Sequence, residues 1–139
     1  MRIVRLILSA ALATSALVGI EILSTDYWLW SAAPTHAYGL IVFVALDAAL
    51  ILGMWRAVRA AIFGALSIAT IQLASMLGDI ITGQPAGTPA AAFRSYLFAD
   101  TAYLGLLFAQ GLIMAIAVGA WALPHLHGHW LASWKTVKQ

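Results

Sequence analysis

The sequence predicts an all-α polytopic membrane protein, with four transmembrane helices in an antiparallel bundle. Three observations predict it. The 139-residue chain is 63% hydrophobic and 9% charged, with a mean hydropathy of +0.95, whereas ordinary soluble domains carry roughly 25% charged residues. Apolar runs near the length that crosses about 30 Å of hydrocarbon occur at about residues 3–23, 37–55, 60–82 and 101–123. Basic residues gather on one side of those runs and acids on the other. A water-soluble chain of this length cannot bury so much apolar surface in one core. No segment alternates polar and apolar residues over the roughly ten positions of a membrane β-strand. Backbone groups in lipid must pair within their own segment, so the runs are helices.

Taken in order, the chain opens with "MRIVRLILSAALATSALVG". Two arginines, an apolar run and an Ala-Leu-Ala step resemble a secretory signal. With the chain starting at Met1, the segment is read as the first transmembrane helix. "STDYWLWSAAPT" is aromatic and is expected to lie flat at the interface. The second run contains "GLIVFVALDAALILG", whose one polar residue is Asp47. The connection "WRAVRA" is short enough to make the second and third helices antiparallel neighbours. In "GQPAGTPAAAFRSYLFAD", Thr88 followed by Pro89 reads as an N-cap and first-turn proline. A short outer helix is expected near residues 89–98, with Asp100 capping the fourth span. Residues 124–139 form an interfacial tail on the cytoplasmic side, in which Pro124 and Gly128 favour a non-helical stretch.

Orientation follows from the charges. Arg2 and Arg5, Arg56 and Arg59, and Lys135 and Lys138 share one side, and only Arg94 lies on the other. The positive-inside rule makes that side the cytoplasm, giving an N-in/C-in protein of the cell membrane. Glu21, Asp26, Asp79 and Asp100 fall at the outer ends. Tyr27, Tyr38, Tyr96 and Tyr103 also lie outward, while Trp55, Trp121, Trp130 and Trp134 lie inward, as in interfacial belts. Rows of small residues, Ala11/Ser15/Gly19 and Gly111/Ala115/Gly119, suit close helix packing within the chain or against a partner subunit.

Asp47 sits near the middle of its span, and Thr14, Ser15, Gln72 and Gln110 lie at similar depth on the other three. A charged aspartate at the bilayer centre costs about 2.5–3.5 kcal/mol on insertion scales, which favours a neutral or hydrogen-bonded acid facing the interior. The glutamine amides are its expected partners. Gln72, Ser75, Asp79 and Thr82 share one helical face, and His36 and Asp47, about 16 Å apart along their helix, share another. These stripes define an intramembrane polar layer and an outer group of His36, Glu21, Asp79 and Asp100. The layer reads as hydrogen-bonded register, as a contact with a partner subunit, or as a proton or cation site. With Asp26, the outer acids and His36 also form a candidate cation site.

His125, His127 and His129 alternate, so an extended tail would present all three on one face for a metal; the alternative is a plain interfacial tail. His36 can supply at most one axial haem ligand, because the other histidines lie on the opposite side. The sequence requires no cofactor. With no cysteine, disulfides, thiolate metal sites and iron–sulfur clusters are excluded. There is no phosphate-binding glycine loop, no catalytic constellation and no basic stripe interleaved with aromatics, so nucleic acid is not an expected partner. The plan is similar, in architecture alone, to the small four-helix accessory proteins of respiratory and oxidase complexes. A non-catalytic membrane subunit, with lipid and other subunits as partners, is the leading expectation. A small proton- or cation-coupled transporter using Asp47 comes second, and a cofactor-binding membrane protein third.

Overall fold

In the computed structural model, the described residues are 2–58, 60–82, 94, 95, 98, 99 and 101–136, with side chains described as far as Ala122. Their regular structure is helical: α1 (Arg2–Thr25), α2 (Tyr27–Ala32), α3 (Pro34–Trp55), α4 (Ala60–Thr82) and α5 (Thr101–Thr136). Four are long and apolar enough to cross a membrane, namely α1, α3, α4 and residues Thr101–Ala122 of α5. The protein is thus multi-pass by length and composition. The sequence placed all four spans within a few residues of these limits.

The elements between the spans have local causes. Asp26 accepts a hydrogen bond from the Leu29 backbone N–H (3.0 Å) and starts α2 as its N-cap. Pro34 opens α3, where its missing N–H costs nothing. The aromatic segment expected to lie flat is therefore a short helix, and it is only partly a surface element. Tyr27 is exposed, while Leu29 packs against the cluster of Ile22, Met76 and Leu106. The Trp30 indole donates to the Leu23 carbonyl (2.8 Å) and meets the Tyr38 ring edge-on, 5.9 Å between centroids.

The turn after α3 is closed by Ala57 N–H to Met54 O and Val58 N–H to Gly53 O, the bond pair of a Schellman motif. Its left-handed position holds Ala57, at φ 59°, where glycine is the unstrained residue. Ala57→Gly is expected to raise stability by about 1 kcal/mol, read from reversible unfolding in mixed micelles. An unchanged or lowered stability would show that the alanine side chain packs well enough to offset the strain.

α1 packs against α3 and α5, and α4 packs against the same two helices, while α1 and α4 touch least. Arg5 meets Ala57 and Ser15 meets Asp47, so rising numbers in α1 meet falling numbers in α3. The α3–α4 pairs follow the same rule: a Cβ on Gly53 would stand 3.0 Å from Ala61 Cβ, one on Gly64 would stand 2.7 Å from Leu50 Cδ2, and His36 reaches Asp79. The chain thus has an arginine end (Arg2, Arg5, Arg56) and an acidic end (Asp26, Asp79).

Small residues make the approach possible. Ala11, Ser15 and Gly19 are buried, and a Cβ on Gly19 would lie 2.7 Å from Val44 Cγ2. Ala61, Ala65 and Ala69 form a second buried row, on α4. On α5 the inward row is Ala109, Ile113 and Ala117. The expected glycine row of α5 does not pack within the chain. Ala115 is exposed, and a Cβ on Gly111 or Gly119 would meet nothing within 4 Å.

α5 continues through Pro124 and Gly128 to Thr136, which corrects the expectation of a non-helical tail. An interior proline removes one hydrogen bond and crowds the preceding turn, but a long helix can absorb that as a kink. In a helix, His125, His127 and His129 no longer share a face, and the extended-chain argument for a metal site fails. Their side chains lie outside the described residues. So do Asp100 and most of the expected 89–98 helix, of which residues 94, 95 and 98 are described and helical.

Candidate functional site

Three helices converge on Asp47. The Ser15 hydroxyl donates to Asp47 Oδ2 at 2.6 Å. The Gln110 amide Nε2 donates in turn to Ser15 Oγ at 2.6 Å. All three side chains are fully buried, with relative exposures of 1%, 1% and 0% for Ser15, Asp47 and Gln110. The serine explains the order of the chain. Its single proton goes to the carboxylate, which leaves its lone pairs for the amide. A small residue at position 15 therefore does two jobs. It lets α1 approach α3, and it bridges α5 to an acid on α3.

The layer departs from the sequence expectation in three ways. Thr14 is exposed and donates to the Ala10 carbonyl (3.0 Å), so it faces away from the bundle. This is a correction with a simple cause, because adjacent helical positions point about 100° apart and only one of Thr14 and Ser15 can face inward. Thr82 likewise turns out and bonds to the Gly78 carbonyl (2.8 Å). Gln72 is buried but is not a direct partner of the acid. The α3–α4 pairings put Gln72 level with about Phe43, one helical turn from Asp47 toward the acidic end.

At this level, among the described residues, three buried oxygens have no donor: Asp47 Oδ1, Gln72 Oε1 and Gln110 Oε1. Each buried acceptor without a partner costs about 1–3 kcal/mol, so a polar guest at this level would be favoured. Above it, a cleft of 250 Å³ is lined by Asp26, His36, Phe43, Gln72, Ser75, Asp79 and Tyr103, among others. Gln72 is seven residues from Asp79, or about 10 Å along α4. The cleft therefore runs from the acidic end to Gln72 and stops about one turn short of Asp47.

At its mouth, His36 Nε2 stands 3.2 Å from Asp79 Oδ2, and His36 Nδ1 stands 3.4 Å from Thr35 Oγ1. Each ring nitrogen thus has a polar neighbour within the chain. Of the expected outer group, His36 and Asp79 come together. Glu21 does not join them; it is exposed, and its backbone carbonyl accepts from Ser24 and Thr25. Among the described residues no three His, Asp or Glu side chains are grouped to hold a metal ion. Sequence reasoning missed Tyr103 as a lining residue. The signal was present: Tyr103 precedes Gln110 by seven residues and so shares its helical face.

Below Asp47 the buried interior is apolar until Ser9 and Arg5 near the arginine end. Leu8, Leu12, Met54, Ala61, Ala65, Ala69, Ile113 and Ala117 form one buried cluster toward the arginine end. The arrangement can hold a proton or a small polar guest near Gln72 and Asp47, and among the described residues it offers no polar path onward. The chain matches no protein-family model, no curated protein and no solved structure.

Proposed function

We propose that the chain is a non-catalytic integral-membrane subunit of a larger assembly, an antiparallel four-helix bundle in the cell membrane with both termini cytoplasmic. A respiratory or other oxidoreductase complex is the class whose small accessory subunits share this plan. The observation that carries the reading is the unused small-residue face of α5. A Cβ on Gly105, Gly111 or Gly119 would meet nothing within 4 Å. Helical glycine costs about 1 kcal/mol relative to alanine, and in lipid such faces are where another helix approaches. The inward Ala109/Ile113/Ala117 row already serves the chain's own packing, which leaves the glycine face for a partner. Mild detergent extraction followed by native mass measurement should give a stoichiometric heteromer. A lone monomer or a homodimer would overturn this reading.

A second reading is a site for a proton or small cation at the bundle centre. The three buried oxygens without donors, beneath a cleft open to the acidic end, favour it. Its test is the Asp47 pair of variants taken up in the Discussion.

A further inference from the structure

At the arginine end, a cleft of 790 Å³ lies between the start of α1 and the end of α3. Arg2, Arg5 and Ser9 line it at positions i, i+3 and i+7, so they stand on one face of α1. Arg5 spends one nitrogen on the fold, Nη2 donating to the Ala57 carbonyl at 3.1 Å. Its Nε is buried without an acceptor, and so is the hydroxyl of Ser9, a residue 7% exposed. Ser9 stands out among the buried helical hydroxyls of the described residues, since Ser15 donates to Asp47 and Ser9 has no partner. Thr14, Thr25, Thr70 and Thr82 each donate to the carbonyl four residues back. Ser9 leaves that local partner unused.

We propose that this cleft binds the phosphodiester headgroup of an anionic phospholipid. The chemistry is complementary at two depths. Arg2 and the free Arg5 Nε offer charge-assisted donors to a phosphate. Ser9 lies one turn deeper, about 6 Å along the helix, where a glycerol ester carbonyl would accept its proton. Ile3 and Leu6 are exposed beside the arginines and Trp55 stands across the cleft, giving an acyl chain an apolar wall and an interfacial anchor. Basic pockets between transmembrane helices hold anionic headgroups by this combination of donors. A free phosphate would satisfy the arginines but would leave Ser9 unpaired.

The test is lipid retention by the purified, delipidated full chain in detergent, read as bound adducts by native mass spectrometry. Phosphatidylglycerol should be retained in preference to phosphatidylcholine. Arg2→Gln should weaken retention about five-fold, and Arg2 makes no intrachain hydrogen bond among the described residues, so the fold stays intact. Ser9→Ala should weaken phosphatidylglycerol further without touching the Arg5–Ala57 bond. Inorganic phosphate at millimolar concentration should not displace the lipid. Equal retention of both lipids, or variants that bind like the parent, would overturn the proposal. Full displacement by inorganic phosphate would reassign the cleft to a free anion and overturn it as a lipid site.

Discussion

Replacing Gly19 with leucine is expected to part α1 from α3 and lower the stability of the purified protein by about 3 kcal/mol, the upper end of overpacking costs. The space is already taken. Even a Cβ would lie 2.7 Å from Val44 Cγ2 and 3.4 Å from Leu40 Cδ1. Valine is β-branched and stiff at χ1 in a helix, so its methyl cannot swing aside. Gly64 is equally close to a neighbour, but that neighbour is Leu50 Cδ2, the end of a flexible side chain. Gly64→Ala should therefore be tolerated. Gly111→Leu, which faces open space, should leave the isolated chain no less stable, with a gain of at most about 1 kcal/mol from helix propensity. It should instead reduce recovery of the heteromer if α5 presents that face to a partner. Reversible unfolding in mixed micelles, run beside the native mass measurement, separates the two outcomes. A Gly19→Leu protein as stable as the parent would contradict the packing described for α1 and α3.

The second large effect is expected at Asp47. Asp47→Leu removes the acceptor of the Ser15 hydroxyl and disturbs the Gln110 bond behind it. Single interhelical hydrogen bonds in membranes average about 0.6 kcal/mol, but leaving buried donors unpaired adds about 1–3 kcal/mol. A loss of about 2 kcal/mol is expected. Asp47→Asn keeps a carbonyl oxygen for Ser15 and should cost less than about 1 kcal/mol. The pair also decides what the acid is for. If Asp47 exchanges a proton or cation, liposomes carrying the Asn variant lose the uptake seen with the parent while the fold survives. If parent and variant behave alike, the acid serves only to hold three helices in register.

The spans were legible because a helix that crosses hydrocarbon needs about 20 nearly uncharged apolar residues in a row, and the runs at 37–55 and 60–82 fall within three residues of α3 and α4. The inward turn of Asp47 was also legible, since a lone carboxylate in an apolar helix has few stable environments. Ser15 as its immediate partner was only half visible. Ser15 and Thr14 were equally placed in depth, and choosing between them needed the rotation of α1, which packing fixes. The α5 glycine row left its neighbour open for a related reason. Four-residue spacing reveals a smooth face but not which neighbour uses it, and the buried face of that helix is made by Ala109, Ile113 and Ala117 instead. Pro124 was read as a stop by local chemistry alone, whereas the helix runs past it.

The apolar cluster between Asp47 and the arginine end has an electrical meaning. Among the described residues Leu8, Leu12, Met54 and Ile113 lie packed beneath the acid, and on the proposed reading of Asp47 as a proton or cation site a charge entering past His36 and Asp79 would leave by the same mouth. A bilayer patch containing this chain by itself would then store and return charge as a brief displacement after a voltage step. It would behave as a capacitor and sustain no direct current.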